Sequence, residues 1–285
     1  MKKTILTMAS CAAFFASAFA QDITVTQLNG GVVEYRKDYT PELSLDLIGV
    51  SASVGYESEY VFRGEKRSNH AIQSKLEFSY PIYSLDVYAG AWYSSPIRGT
   101  SKSQMNELDA YVGAVYYMKD FRFDVGCIYY WYPDNERALN SGDGEVYAGV
   151  SFDTASYLLG VNVSPSLYYY YNWTLEQHTI EASFGYSFAL GQYLGDNRFS
   201  LPIRFYFGYL TSDNKDDGKL GGQECDYYYF GGSADIAFAI TEYCTISVGV
   251  RYSQREGGDG KNPNDFNLMG SDKNIWAGGK VDFGF

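Results

Sequence analysis

Histidine is scarce in this sequence, with two residues among 285, and proline contributes only seven. His70 and His178 are the whole supply of imidazole bases, and no nucleophile shares a face with either at hydrogen-bonding spacing. No Cys and His spacing suits zinc or haem, and Asp213, Asp216 and Asp217 read as solvated loop charge rather than a calcium site. No cofactor is implied. Cysteine is equally thin: apart from Cys11, only Cys127, Cys225 and Cys244 occur, an odd number that specifies no disulfide framework. Basic charge is short too, with 22 Lys and Arg against 34 Asp and Glu, which argues against nucleic acid as a partner. Beyond residue 20 there is no run of about 18 apolar residues, which excludes a transmembrane helix.

What is present begins with an export signal. Lys2 and Lys3 precede an apolar run from Ile5 to Phe19, and Ala18-Phe19-Ala20 has the small-x-small form of a cleavage site. Residues 1–20 therefore read as a signal peptide. Residues 21–49 read as an amino-terminal periplasmic or lumenal segment, in which Pro41 would end any strand. The rest, 50–285, holds nearly all of the 29 Tyr and 30 Gly of the sequence, strand-formers separated by turn residues.

Period-two alternation marks twelve segments, near 50–62, 70–80, 83–95, 107–118, 121–132, 144–153, 156–171, 175–189, 199–209, 226–239, 243–253 and 273–285. Most exceed the five or six residues usual in globular strands and suit the roughly nine to eleven that cross a membrane at a tilt. One face is apolar through its middle. It carries Val50, Ala52, Val54, Tyr56, Tyr60 and Phe62, then Leu85, Val87, Ala89, Ala91 and Tyr93, with Phe121, Phe123, Val125, Tyr129 and Trp131 alike. A Lys or Arg at the bilayer midplane would cost about 2–4 kcal/mol, so an uncharged face is what lipid enforces.

The opposite face predicts a lumen lined by Glu57, Glu59, Lys75, Glu77, Asp86, Trp92, Glu107, Asp109, Tyr111, Arg122, Asp124, Glu145, Arg204, Asp235, Arg251, Lys280 and Asp282. Acids outnumber bases there, so an electronegative interior is expected. Its carboxylates serve either a cation-favouring channel or internal ion pairs that fill a narrow barrel. Its aromatics, Tyr88, Tyr130, Tyr132, Tyr147, Tyr168, Tyr170, Tyr206 and Trp276 among them, either stack on sugar rings or plug the bore. Long connections such as 63–69, 96–106, 210–225 and 254–272 alternate with short ones such as 81–82, 119–120 and 154–155, the habit of outer-membrane barrels. That places Cys225 and Cys244 at opposite rims, where they cannot pair. The fold class expected is an all-β, antiparallel up-and-down transmembrane barrel of about twelve strands.

Several motifs then point to a family. Ser58-Glu59-Tyr60-Val61-Phe62-Arg63-Gly64 resembles a first-strand signature S-D-Y-x-F-R-G, and Tyr88 to Ser94 resembles Y-x-G-x-W-x-S. Glu107 to Gly113 resembles E-x-D-x-Y-x-G, Asp124-Val125-Gly126 resembles D-x-G, and Glu145 to Gly149 resembles E-x-Y-x-G. Together they are similar to the TorF-family porins of proteobacteria, also called the Gcw_chp family, over about residues 51–153. Lys66 and Arg67 in the first loop and larger late loops depart from that pattern. The resemblance implies a barrel in the outer membrane of a Gram-negative bacterium, in contact with outer-membrane lipid and lipopolysaccharide. The ending Val281-Asp282-Phe283-Gly284-Phe285 resembles the terminal signal that the outer-membrane insertion machinery reads, with Phe283 and Phe285 in the lipid-facing register.

The expected function is a porin-like channel for small cationic or neutral polar solutes, without catalysis. Two other readings stay open: a closed structural or adhesive barrel acting through its outer loops, and an outer-membrane lipid-modifying enzyme. Neither the solute nor the oligomeric state is readable.

Overall fold

A computed structural model describes residues 47–97, 106–133, 142–158, 160–212, 225–257 and 272–285. The signal peptide and all but the last three residues of the 21–49 segment lie outside the described residues, as does the acidic stretch at Asp213. The strands are β1 (Gly49–Phe62), β2 (Glu65–Ile82), β3 (Leu85–Pro96), β4 (Glu107–Met118), β5 (Phe121–Trp131) and β6 (Gly142–Phe152). They continue as β7 (Ser166–Asn172), β8 (Gln177–Ala189), β9 (Phe199–Ser212), β10 (Cys225–Thr241), β11 (Cys244–Gly257) and β12 (Lys273–Gly284). A short helix α1 (Gly191–Leu194) sits between β8 and β9. Each strand pairs antiparallel with its sequence neighbours, and β12 pairs with β1, closing a twelve-stranded barrel.

Closure is carried to the last residue. Phe285 N–H donates to the Val50 carbonyl at 2.8 Å and Val50 N–H returns a bond to Phe285 at 3.0 Å, so the seam between β1 and β12 is paired to the end of β12. The outward face keeps large apolar groups in the open, among them Leu76, Phe123, Phe207, Ile236 and Val250. Water would penalise such a belt by about 25 cal/mol for each Å² of apolar surface, whereas hydrocarbon would not. At the end of the barrel that holds the carboxyl terminus, Phe121 meets Phe152 with ring centroids at 4.8 Å, Phe199 meets Phe238 at 4.6 Å, and Tyr243 stacks on Phe285 at 5.8 Å. Aromatic rings gathered in this way form an interfacial girdle.

This lipid belt has a direct test. Val250, 57% exposed at the middle of β11, should cost about 2–4 kcal/mol on replacement by Arg, while Ile246→Arg near the rim should cost about 0–1 kcal/mol. Reversible unfolding in liposomes reads the difference; equal costs would contradict lipid contact at Val250.

Two expected boundaries are corrected. The first connection is not a loop of residues 63–69 but a two-residue turn, with Phe62 paired to Glu65. Arg63 and Gly64 have φ of 48° and 82°, the positive pair of a type I′ hairpin turn. The charged run Glu65 to Arg67 reads as loop by composition, yet it pairs as strand because its side chains find partners inside the barrel. The second correction concerns β7, expected from residue 156 and found from Ser166. The Thr154 carbonyl accepts from Tyr157 and Leu158 N–H in a turn, and Asn162 Oδ1 accepts from Thr154 and Ser164 N–H. Pro165 then has no N–H to give a ladder. The connection therefore runs over 153–165, not 154–155, and leaves a notch with a cavity of about 400 Å³ beside Ser183, Gly185 and Arg204. In the β8–β9 connection Arg198 holds Asp196 through bonds of 2.7 to 3.1 Å and pulls its carboxyl down to about 2.

Candidate functional site

The inner wall is built from a repeated Tyr-x-Gly unit. In antiparallel neighbours two such units face each other reciprocally: Tyr88 lies opposite Gly113 and Tyr111 opposite Gly90, while Tyr206 lies opposite Gly231 and Tyr229 opposite Gly208. Tyr147 over Gly126 and Tyr168 over Gly149 extend the series. A Cβ on Gly113 would fall 2.4 Å from the Tyr88 ring, and one on Gly208 would fall 2.1 Å from Tyr229. The rings therefore lie flat on the backbone of the next strand, which only glycine permits. This accounts for the joint abundance of Tyr and Gly, and it keeps these rings on the wall rather than across the bore.

Hydroxyls tie this lining to the inward acids. Tyr111 donates to Glu77 at 2.9 Å, Tyr229 to Glu181 at 2.9 Å, and Tyr88 and Tyr168 donate to the two oxygens of Asp124 at 2.7 and 3.0 Å. The Tyr88 and Tyr147 hydroxyls also bond to each other. Cations complete the lining, with Lys75 2.9 Å from Glu77, Arg122 3.0 Å from Asp124, Arg204 3.5 Å from Glu181 and Lys280 3.1 Å from Asp282. Asp86 lies within electrostatic reach of Arg122. Arg251 lies between Glu57 at 3.3 Å and Asp235 at 2.7 Å.

Exposure divides the interior into halves. Toward the end bearing the carboxyl terminus the cations are wet, with side chains of Lys75, Arg204 and Lys280 exposed by 39, 60 and 49%. Toward the opposite, loop-bearing end they are buried: Arg63 and Arg255 keep 7 and 6%. The cause is the β1–β2 hairpin. Its strands shift register at Tyr60/Val61, and its tip turns into the barrel. Gly64 seats against Tyr229 and Arg255 on β10 and β11, so close that a Cβ there would lie 2.8 Å from Tyr229 Cβ and 3.3 Å from Arg255 Cβ.

The tip is held mainly by charge. Arg63 makes a bidentate pair with Glu145 on β6 at 2.7 and 2.8 Å, and its guanidinium lies 4.8 Å from the Phe62 ring and 4.6 Å from the Tyr170 ring. Tyr130 donates to the same Glu145 at 3.0 Å. Lys66 pairs with Glu59 at 2.5 Å, and Glu65 takes Arg67 at 3.2 Å and Arg255 at 3.4 Å. Around Arg67 stand Glu107, Asp109 and Asp143, with Tyr60 and Tyr132 hydrogen bonded to Glu107. Beneath the tip a cavity of about 180 Å³ is lined by Glu57, Glu59, Gln73, Arg251 and Trp276.

Tyr60 and Phe62 correct the register expectation. Alternation along β1 puts them on the lipid face, but Tyr60 packs on Trp92 at 5.3 Å and Phe62 on Tyr130 at 6.2 Å, both inside. The inward bend reverses what those positions face. Sequence reasoning also missed Glu65, Asp143 and Arg255 as interior groups. The available signal was Gly64, which adopts the positive φ of a tight turn freely and so argues for a hairpin. The two histidines lie on the outer surface, His70 Nδ1 bonded to the Tyr56 hydroxyl and His178 Nδ1 to the Tyr169 hydroxyl, both at 2.6 Å. Among the described residues no group of three His, Cys, Asp or Glu side chains is placed to hold a metal ion. Cys127 is buried and, like Cys244, unbridged among the described residues. Phe283 pairs with Ala52 and Phe285 is well exposed beside Tyr243.

The model of the Gcw_chp family, described as a bacterial protein of unknown function, matches residues 47–191. No curated protein matches the chain. Solved structures with a similar barrel include the COG4313 outer membrane channel from Pseudomonas putida F1, at TM-score 0.48 and 12% identity over 84% of this chain and 94% of that one. LpxR from Salmonella typhimurium follows at 0.47 and 13%, covering 82% and 99%, and a NanC porin structure at 0.47 and 13%, covering 82% and 98%. At these values the likeness carries no argument about chemistry.

Proposed function

The chain belongs to the Gcw_chp family, and from that premise we propose that it is a porin-like channel of the Gram-negative outer membrane, a TorF-family porin. Its cargo is small cationic or neutral polar solutes, taken through a narrow, acidic and aromatic lumen. The observation that carries this reading is the wet half of the interior. A barrel selected only for stability would pack that volume, whereas here Arg204 keeps 60% of its side chain exposed and the tyrosines lie back on glycine. In the same reading the exposed apolar belt meets lipid and lipopolysaccharide, and Phe283 and Phe285 serve the insertion machinery. No catalytic step is assigned.

A closed structural barrel is the second reading, favoured by the sealed hairpin end. Planar-bilayer recording separates the two. The channel reading expects discrete steps with a reversal potential on the cation side, moved toward zero by Glu107→Gln/Asp109→Asn, since those carboxylates stand beside the hairpin at the narrow end. A folded, heat-modifiable barrel that stays electrically silent under all voltages would sink it.

A further inference from the structure

We propose that the loop-bearing half of the lumen is a recognition site for alkylguanidinium and related organic cations, with Arg63 as its tethered occupant. The consequence for transport rests on the channel reading, while the site stands on its own geometry. A carboxylate fork and aromatic faces are the means by which proteins hold a guanidinium. Glu145 supplies the fork at 2.7 and 2.8 Å, oriented by the Tyr130 hydroxyl at 3.0 Å, and Tyr170 supplies a face at 4.6 Å. These three belong to β5, β6 and β7, the wall that faces the hairpin rather than the hairpin itself. The cation alone arrives on the hairpin, at its two-residue turn.

One further observation marks the site as a receptor rather than a balanced pair. Asp109 and Asp143 are buried nearby, and among the described residues each keeps one oxygen, Oδ1, without a hydrogen-bond partner. Carboxylate capacity therefore exceeds what the hairpin supplies. Arg63 reaches Glu145 from the turn of the hairpin, whose backbone is set by the Phe62 and Glu65 pairing and not by that contact. An external cation that takes Glu145 leaves the tip without its main charge contact. Solute binding and withdrawal of the hairpin are thus coupled through competition for one carboxylate.

The test titrates methylguanidinium and, for comparison, choline against wild type, Arg63→Ala and Arg63→Ala/Glu145→Gln. Calorimetry reads the site directly: Arg63→Ala should bind methylguanidinium at least tenfold more tightly than wild type, where Arg63 competes, and the double variant should lose that gain. In bilayers, wild-type conductance should rise as methylguanidinium is added on the loop side, and Arg63→Ala should start higher and respond less. If Arg63→Ala does not refold, Arg63→Lys, which keeps charge but loses the fork, takes its place with a smaller gain. Equal affinity in wild type and variant, or a gain that survives Glu145→Gln, overturns the proposal. Binding with no current in any folded variant leaves the recognition site standing and removes the channel reading instead.

Discussion

Glu145→Ala is expected to lower the unfolding free energy of the barrel by about 3–5 kcal/mol, the usual cost of leaving one member of a buried ion pair behind. Glu145 is 1% exposed and Arg63 7%, so little solvent screening softens the loss. The Tyr130 hydroxyl loses its acceptor as well. Replacing both partners tells a different story, because a well-packed apolar pair removes the desolvation penalty together with the attraction. Arg63→Met/Glu145→Leu should therefore recover most of the loss. Denaturant unfolding in liposomes, followed by heat-modifiability, gives all corners of the cycle. A loss below about 1 kcal/mol for Glu145→Ala would place this pair among solvated surface bridges and the hairpin outside the barrel.

Gly208→Leu should cost about 3 kcal/mol or more. Its Cβ would lie 2.1 Å from the ring of Tyr229, which is wholly buried, so the ring must leave the wall. Overpacking of this kind costs about 1–3 kcal/mol. The Tyr229 bond to Glu181 at 2.9 Å goes with it, worth about 1.5–3 kcal/mol for a charged acceptor. Tyr229 is also the seat of Gly64, so the same substitution should loosen the hairpin and raise conductance. Gly284→Leu, with open space around its Cβ, is the matched control and should be near neutral. Similar costs at both positions would refute the flat Tyr-on-Gly lining.

Much of the barrel was legible because lipid imposes a strict code. Period-two alternation with an uncharged face located all twelve strands, and their bounds lie within a few residues of those observed except at the starts of β2, which begins at Glu65, and β7, which begins at Ser166. The errors came where that code stops. At β7, Asp153, Asn162 and Pro165 impose side-chain turns and a missing donor that a count of apolar positions does not register. At the first hairpin, alternation remained regular while the chain left the wall, so Tyr60 and Phe62 kept the phase of lipid-facing residues and faced Trp92 and Tyr130 instead. Ion pairing across the bore has no sequence periodicity at all. Arg63 finds Glu145 at a separation of 82 residues, and Arg255 finds Glu65 at 190. Such partners follow from barrel closure, not from spacing.

The reciprocal Tyr-x-Gly units were visible as composition and as motifs, but their meaning needed the strand register. Only when Tyr88 stands opposite Gly113 and Tyr111 opposite Gly90 does the glycine become the floor for the ring. This changes the reading of these aromatics: flat on the wall, Tyr88, Tyr111, Tyr147, Tyr168, Tyr206 and Tyr229 narrow the bore less than the same rings pointing inward would.

The central claim is that the first hairpin lies inside the barrel and closes its loop-bearing half. Lys66, just past the turn, tests it most directly, since its side chain is only 12% exposed. With Cys127, Cys225 and Cys244 replaced by Ser, Lys66→Cys in intact membranes should resist a bulky membrane-impermeant maleimide and react only after the barrel is unfolded. Rapid labelling of the folded barrel from outside would put the hairpin in solvent and contradict the account.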